Sequence, residues 1–401
     1  MSAGRLNELN LRLQSLAVFR DLLEDPVIDA LCRYLRSADR RDTVESVSRY
    51  AEFVSRLYGA GNVSLAGYIQ SIVNDNENPY IRLVGKGETP SREMKCCVIQ
   101  DLAALQAAAD LTPETLRIGL DWNGPLPAFP VETVDIAGNY RERCDKIGQY
   151  GYGIYARYRM FYMNTEHHIV PVRNPDSIRL SSLVDYKREQ KIILDNTLAL
   201  LEGKPAANIL LTGDAGTGKS STVKAIVNEL YEKGLRILEV RKEQLHAIPD
   251  ILDTLNSNPL KFILFIDDLS FQKGDDNYSA LKAILEGSVS AKAQNVVIYA
   301  TSNRRHLVKE SFSDREGDDI HRNDTMQEII SLSERFGIQI TFQKPNKQTY
   351  LDIVLHLARE RGVQRSAEEL EQMAEQFALK RGGRSARAAS QFIDSLVASA
   401  Q

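Results

Sequence analysis

The chain has 401 residues, a formal net charge of −4, and is 43% apolar and 26% charged. That size and balance suit a globular chain of two or three domains with a sizeable core, and exclude a fibrous or disordered one. The near-neutral charge supplies no overall field that would drive non-specific nucleic-acid binding, so nucleic acid stays open as a partner but unsupported.

The opening "MSAGRLNELNLRLQ" lacks the apolar core of a signal peptide, and no apolar run approaches the ~18–20 residues of a membrane span. A cytoplasmic protein without a membrane partner is the expectation. Leu6, Leu9, Leu13 and Leu16 recur at helical spacing, and residues 1–165 are read as a mostly helical N-terminal domain. Its cysteines, Cys32, Cys96, Cys97 and Cys144, are too few and badly spaced for a disulfide framework or a zinc site. Cys96 and Cys97 read as small apolar residues on a helix. Near its end lies "QYGYGIYARYRMFYM". Tyr152, Tyr155 and Tyr158 beside Arg157 and Arg159 could stack nucleic-acid bases. A packed helix is favoured, because Tyr155, Tyr158 and Tyr162 fall at i, i+3, i+7.

Residues 166–203 change character. "HHIVPVRNPDSIRLSSLVDY" reads as a linker with a short strand, and His167 and His168 have no acid or thiol at ligand spacing. A helix, "YKREQKIILDNTLALLEG", follows and ends at Gly203. From 204 to 345 apolar runs alternate with helical segments: "NILLTG", "RILEV", "KFILFIDD", "NVVIYATSN" and "IQITF". Short apolar strands joined by helices imply an α/β domain whose parallel sheet is sandwiched by helices. Residues 346–401 read as helices only, with Tyr350, Ile353, Val354 and Leu357 marking the first, and form a small helical lid.

"GDAGTGKS", residues 213–220, matches G-x-x-x-x-G-K-[ST] in full, after an apolar strand and before a helix. Gly213, Gly216 and Gly218 permit backbone turns closed to other residues. The amides around Asp214, Ala215 and Thr217, with Ser221 just inside the helix, place an anion at a helix N-terminus. Lys219 would reach the β- and γ-phosphates of ATP, and Ser220 would ligate Mg²⁺. Asp267 and Asp268 close the run "FILFIDD". Carboxyl ends of neighbouring parallel strands lie side by side, so Asp267 is expected to hold Mg²⁺ beside Ser220. A helix N-cap is the plainer alternative for either aspartate.

At these residues the chain resembles the AAA+ ATPases, over residues 178–401. "GDAGTGKS" is similar to that family's Walker A, "FILFIDD" to its Walker B, and "VVIYATSNRRHLV" to its sensor-1 strand. "SLSERFGI" resembles its arginine-finger segment, in a form also seen in branch-migration motors, and "GGRSARAASQFIDSL" its sensor-2 helix. "LSSLVDY" sits where the family contacts adenine. More closely, the run from "IRLSSL" to "SDREGDDIH" resembles a bacterial group of AAA+ ATP-binding proteins known only by an unknown-function label.

The resemblance implies a P-loop AAA+ core with a helical lid, ATP and Mg²⁺ as cofactors, and a ring or open helical homo-oligomer. It assigns Asp268 to activating water, Asn303 to orienting it, Arg335 to a finger reaching a neighbouring subunit's ATP, and Arg387 to the lid sensor, with Arg384 the runner-up. Residues 1–165 would take an unidentified macromolecular partner. The segment "RKEQLHAIP" lacks the aromatic pore loop of ring unfoldases, and a polar insert covers 309–330. Three functions stay open: slow ATP hydrolysis that remodels a partner, a nucleotide-gated loader or adaptor, and a small-molecule kinase, which lacks an evident acceptor site.

Overall fold

The computed structural model describes residues 3–37, 42–61, 64–118, 120, 122–271, 276–286, 294–303 and 334–399; the insert 309–330 lies outside them. The chain forms two compact units, Met1–Arg157 and Tyr158–Gln401.

The first unit is a helical bundle. Its helices begin where short polar side chains cap free amides: Asp42 before Thr43–Gly59, Ser64 before Leu65–Asn74, and Ser91 before Arg92–Ala109. The leucines at 6, 9, 13 and 16 all enter its core with Phe19, Tyr34, Tyr50 and Phe53. Cys96 and Cys97 do lie on a helix, Cys96 exposed and Cys97 half-buried, and all four cysteines are free. One buried acid ties the bundle together. Asp101, 4% exposed, accepts the amides of Ala17, Val18 and Phe19 on Oδ2 at 3.0, 2.7 and 3.0 Å.

The second unit is built on a seven-stranded sheet. Its strands are β1 (Met160–Met163), β2 (Ile169–Pro171), β3 (Ile209–Gly213), β4 (Leu235–Glu239), β5 (Lys261–Ile266), β6 (Val296–Ser302) and β7 (Ile338–Phe342), ordered β2-β1-β4-β5-β6-β3-β7. Every pairing is parallel except β1 with β2. β5 is buried on both faces from Phe262 to Ile266, as an apolar run without alternation requires. On one face Ile263 and Phe265 pack with Ile193 of helix Lys187–Leu201 and Val223 and Ile226 of helix Lys219–Leu230. The helix before β3 stops at Leu201, and Gly203, at φ 69°, closes it with Lys204 N–H bonded to Ala199 O. Three helices, Lys347–Glu360, Ala367–Lys380 and Ala386–Ser399, share a core of Tyr350, Val354, Ala374, Phe392 and Ile393.

The aromatic segment differs from its sequence reading. The last helical turn before it ends at Arg157, and Met160–Met163 is β1, paired with β4 through Met160↔Ile237. Tyr155, Tyr158 and Tyr162 therefore do not share a helix face. Met160, Phe161 and Met163 are buried while Tyr162 is 41% exposed. Spacing at 3.6 residues was coincidental, and sheet pairing decides the conformation. The short strand expected in the linker is β2, the antiparallel edge of the same sheet.

Removing the acid that collects three amides strands those donors. Asp101→Ala is expected to destabilise the first unit by about 2–4 kcal/mol. Urea unfolding followed by fluorescence of Trp122, the sole tryptophan and a residue of that unit, measures it.

Candidate functional site

The phosphate loop joins the end of β3 to helix Lys219–Leu230. Its shape depends on glycine at both ends. Gly213 has φ 141° and packs so closely on β7 that a Cβ would stand 2.1 Å from the Phe342 carbonyl oxygen. Gly218, at φ 93°, caps the helix, and a Cβ there would meet nothing within 4 Å. Between them the Thr217 hydroxyl donates to the Asp214 carbonyl at 2.9 Å. Asp214 and Ala215 are exposed, and Ser220 and Ser221 are half-buried in the first helical turn.

Lys219 is 5% exposed. Its ammonium donates to the carbonyls of Gly213 (2.8 Å) and Asp214 (2.9 Å) and to Asn303 Oδ1 (3.0 Å). Burial lowers its pKa below the ordinary lysine value, while the carboxylates of Asp267, Asp268 and Asp214 pull it back up. Asn303 passes the contact on: its Nδ2 donates to Asp268 Oδ1 at 2.6 Å. That amide orientation is forced, because an ammonium only donates and a carboxylate only accepts.

Asp267 sits one residue beyond β5. Its Oδ1 accepts from the Ser220 hydroxyl at 2.7 Å and from the Thr301 hydroxyl at 2.5 Å. Thr301 Oγ1 in turn accepts the Asp268 amide at 2.9 Å, and its carbonyl accepts the Leu269 amide at 2.7 Å. Asp268 adopts φ 54°, in the left-handed region that non-glycine residues rarely enter. Among the described residues neither aspartate caps a helix; the next described one spans Asp276–Glu286.

The loop, the acid pair and Asn303 thus meet at the carboxyl ends of β3, β5 and β6. Arg335 is not among them. It is half-buried and precedes β7, whose first residue Ile338 pairs with Ile209 while its last, Phe342, pairs with Gly213. Arg335 therefore lies at the end of the sheet away from the phosphate loop. On the lid, Arg387 N–H donates to the Gly216 carbonyl at 3.3 Å. Arg384 is held elsewhere: its Nε and Nη2 bind the two carboxylate oxygens of Glu375 at 2.8 and 2.6 Å. That pair keeps the Glu375 carboxyl below its ordinary pKa.

The segment "LSSLVDY" bridges core and lid. Leu180 and Tyr186 pack on the sheet core, and Val184 on the lid core. Tyr186, at φ 65°, packs at a tilt against Phe342 with ring centroids 4.8 Å apart and donates its hydroxyl to the Gln343 carbonyl.

Hard oxygen donors suit Mg²⁺, and Ser220 Oγ and Asp267 form such a set beside the loop amides. The sequence reading passed over Thr301. A hydroxyl inside the apolar run "VVIYATS" was the available signal, because a buried hydroxyl has to be bonded.

The parallel sheet flanked by helices, the G-x-x-x-x-G-K-S loop after β3 and the helical lid define an α/β fold with a P-loop. The chain belongs to the family described as "Protein of unknown function (DUF815)", which matches residues 155–400. Among solved structures it is similar to the Thermotoga maritima RuvB Holliday junction branch migration motor, at 18% identity over 54% of this chain and 63% of that one, with a TM-score of 0.35. A point variant of the same T. maritima RuvB gives 19%, 54%, 63% and 0.37. The chain thus spans less than two thirds of the length of these structures, and the likeness is one of fold alone. No curated protein matches the chain. Among the described residues no helix is long and apolar enough to cross a membrane.

The two glycines are expected to behave differently on substitution. Gly213→Ala combines backbone strain with a clash against β7 and costs roughly 2–5 kcal/mol. Gly218→Ala carries backbone strain alone, about 1–2 kcal/mol. Thermal unfolding of the two variants checks the order.

Proposed function

We propose that the chain is an ATPase that binds Mg-ATP at residues 213–221 and couples binding and slow hydrolysis to a conformational change in a partner. The observation that carries this reading is the hydrogen-bonded path from Lys219 through Asn303 to Asp268, next to the Ser220–Asp267 pair. A phosphate-binding lysine, a metal-binding acid and a second acid at one sheet end are what phosphoryl transfer to water requires.

The roles follow from position. Lys219 and the loop amides hold the β- and γ-phosphates. Ser220 and Asp267 would hold Mg²⁺, which supplies charge neutralisation on the phosphate oxygens. Asp268 accepts the proton of the attacking water, and Asn303 orients that water. Arg387 stands where the lid meets the loop, so nucleotide state and lid angle are linked through differential contacts. Arg335 lies at the far end of β7, which supports action on a neighbouring subunit's ATP and hence a ring or open helical homo-oligomer.

A second reading has a specific observation behind it. Asp268 is an aspartate in a left-handed backbone, with its carboxylate engaged by Asn303. An acid so held suits a nucleotide-gated loader or adaptor that releases ATP slowly. Residues 1–165 would carry the partner in either case.

Lys219→Ala is expected to abolish ATP binding, whereas Asp268→Asn keeps binding and loses phosphate release by about 10²-fold or more. Wild-type phosphate release no faster than that of Lys219→Ala, with candidate partners present, selects the gated module over the ATPase. Arg335→Ala is expected to bind ATP normally and to lose oligomer-dependent turnover. Mixing it with Lys219→Ala protein should restore part of the rate; no recovery at any ratio removes the finger in trans.

A further inference from the structure

We infer that Thr301 is a positioning residue that sets both acids of the nucleotide site: it selects the Asp267 oxygen presented to a divalent cation and fixes the turn that aims Asp268. The inference rests on the ATPase reading above and extends it to a residue outside the phosphate loop and the acid pair.

Three observations carry it. Thr301 is 2% exposed, the penultimate residue of β6, so its hydroxyl has no water to turn to. That hydroxyl has one hydrogen, and it goes to Asp267 Oδ1 at 2.5 Å. Its oxygen accepts the amide of Asp268 at 2.9 Å. A single side chain therefore grips the carboxylate of one acid and the backbone of the next.

The consequence for Asp267 is geometric. Oδ1 receives two hydroxyl hydrogens, from Thr301 and from Ser220 at 2.7 Å. Two donors occupy the lone pairs of that oxygen. Among the described residues no hydrogen bond reaches Oδ2, which is left as the oxygen free to face a cation. Ser220 keeps its own lone pairs while donating its hydrogen, so it can serve metal and carboxylate together. Without Thr301 one anchor of the carboxylate is lost, and both oxygens become equivalent by rotation.

For Asp268 the consequence is in the backbone. β5 leaves its ladder with β6 after Ile266↔Ala300. Thr301 Oγ1 then takes the place of a strand carbonyl, and Thr301 O takes the Leu269 amide at 2.7 Å. Side chain and backbone of one residue hold both amides of the turn in which Asp268 reaches φ 54°. A left-handed non-glycine residue persists only where neighbours over-determine it.

The test uses the full chain and a fluorescent ATP analogue, with Mg²⁺ titrated. Thr301→Val keeps shape and deletes the hydroxyl. It is expected to raise the half-saturating Mg²⁺ for nucleotide binding about 10-fold or more and to lower phosphate release about 10–100-fold. Affinity for the analogue in excess EDTA should stay within about 2-fold of wild type, because the loop itself is untouched. Thr301→Ser, which restores the hydroxyl, should return both quantities close to wild type. Unchanged Mg²⁺ dependence in Thr301→Val overturns the inference while leaving the ATPase reading intact. Loss of metal-free affinity together with a lowered melting temperature, not rescued by Thr301→Ser, also overturns it, since the role would then be structural only. A wild-type chain that binds no nucleotide with or without Mg²⁺ overturns both. Should Thr301→Val fail to fold, Thr301→Ala is read by the same criteria.

Discussion

An ammonium taken out of water has to be met by acceptors, and the second unit is organised around that demand at Lys219. The three hydrogens of the ammonium match its three partners: two loop carbonyls and Asn303. The loop carbonyls fix the path of residues 213 and 214, and Asn303 fixes the end of β6. Because Asn303 must accept from lysine, it must donate to Asp268. One buried charge thereby sets the phosphate loop, the polar strand end and the second acid. The sheet order makes this reachable, since β6 lies between β3 and β5. An incoming phosphate competes for the same ammonium. On the ATPase reading, a hydrogen that Lys219 turns to phosphate comes from a loop carbonyl or from Asn303, and only release of Asn303 reaches Asp268.

Much of this was legible in the sequence. The five core strands are short, apolar-rich runs of a length that fits buried parallel strands, and "GDAGTGKS" fell between a strand and a helix. Asp267 and Ser220 could be placed together because the carboxyl ends of parallel strands share one edge of the sheet, here with β6 between β5 and β3. The parts that were not legible depend on long-range pairing. "MFYM" has a helix-compatible aromatic spacing, and only the partner strand β4 makes it β1. The left-handed turn at Asp268 has no local cause such as glycine; it is imposed by Thr301 across the sheet. Local patterns report local preferences, and these two features are tertiary.

The lid arginines make the same point with charge. Arg381, Arg384 and Arg387 form one cluster in the sequence, and the resemblance to a sensor-2 helix put Arg387 first with Arg384 as runner-up. Packing separates all three. Arg381 lies over the Phe377 ring at 5.5 Å, Arg384 makes a forked pair with Glu375, and Arg387 meets the loop through its own backbone at Gly216. The forked pair is partly exposed, so its contribution to stability is small, but it fixes the turn before helix Ala386–Ser399. That turn delivers Ser385 and Arg387 against Gly216, where a Cβ on the glycine would stand 3.0 Å from the Arg387 Cβ. The observed tie between loop and lid helix is the bond from the Arg387 amide to the Gly216 carbonyl at 3.3 Å.

On the ATPase reading proposed above, the second acid decides how fast such a site can work. An aspartate carboxylate is one methylene, ~1.5 Å, nearer the backbone than a glutamate's. A displacement of that size between base and water can cost about 10²-fold. The left-handed backbone at Asp268 changes the direction of the side chain as well as its reach, and its carboxylate is paired to Asn303 at 2.6 Å. A carboxylate engaged by an amide is not free to take up a water molecule on that oxygen until the amide lets go. Freeing Asp268 requires Asn303 to turn, and Asn303 is held by Lys219. Slow turnover is therefore built into the same contacts that hold the site together. On that reading, acceleration would come from whatever moves β6 or the lid relative to the loop, in contacts outside the proposed nucleotide pocket.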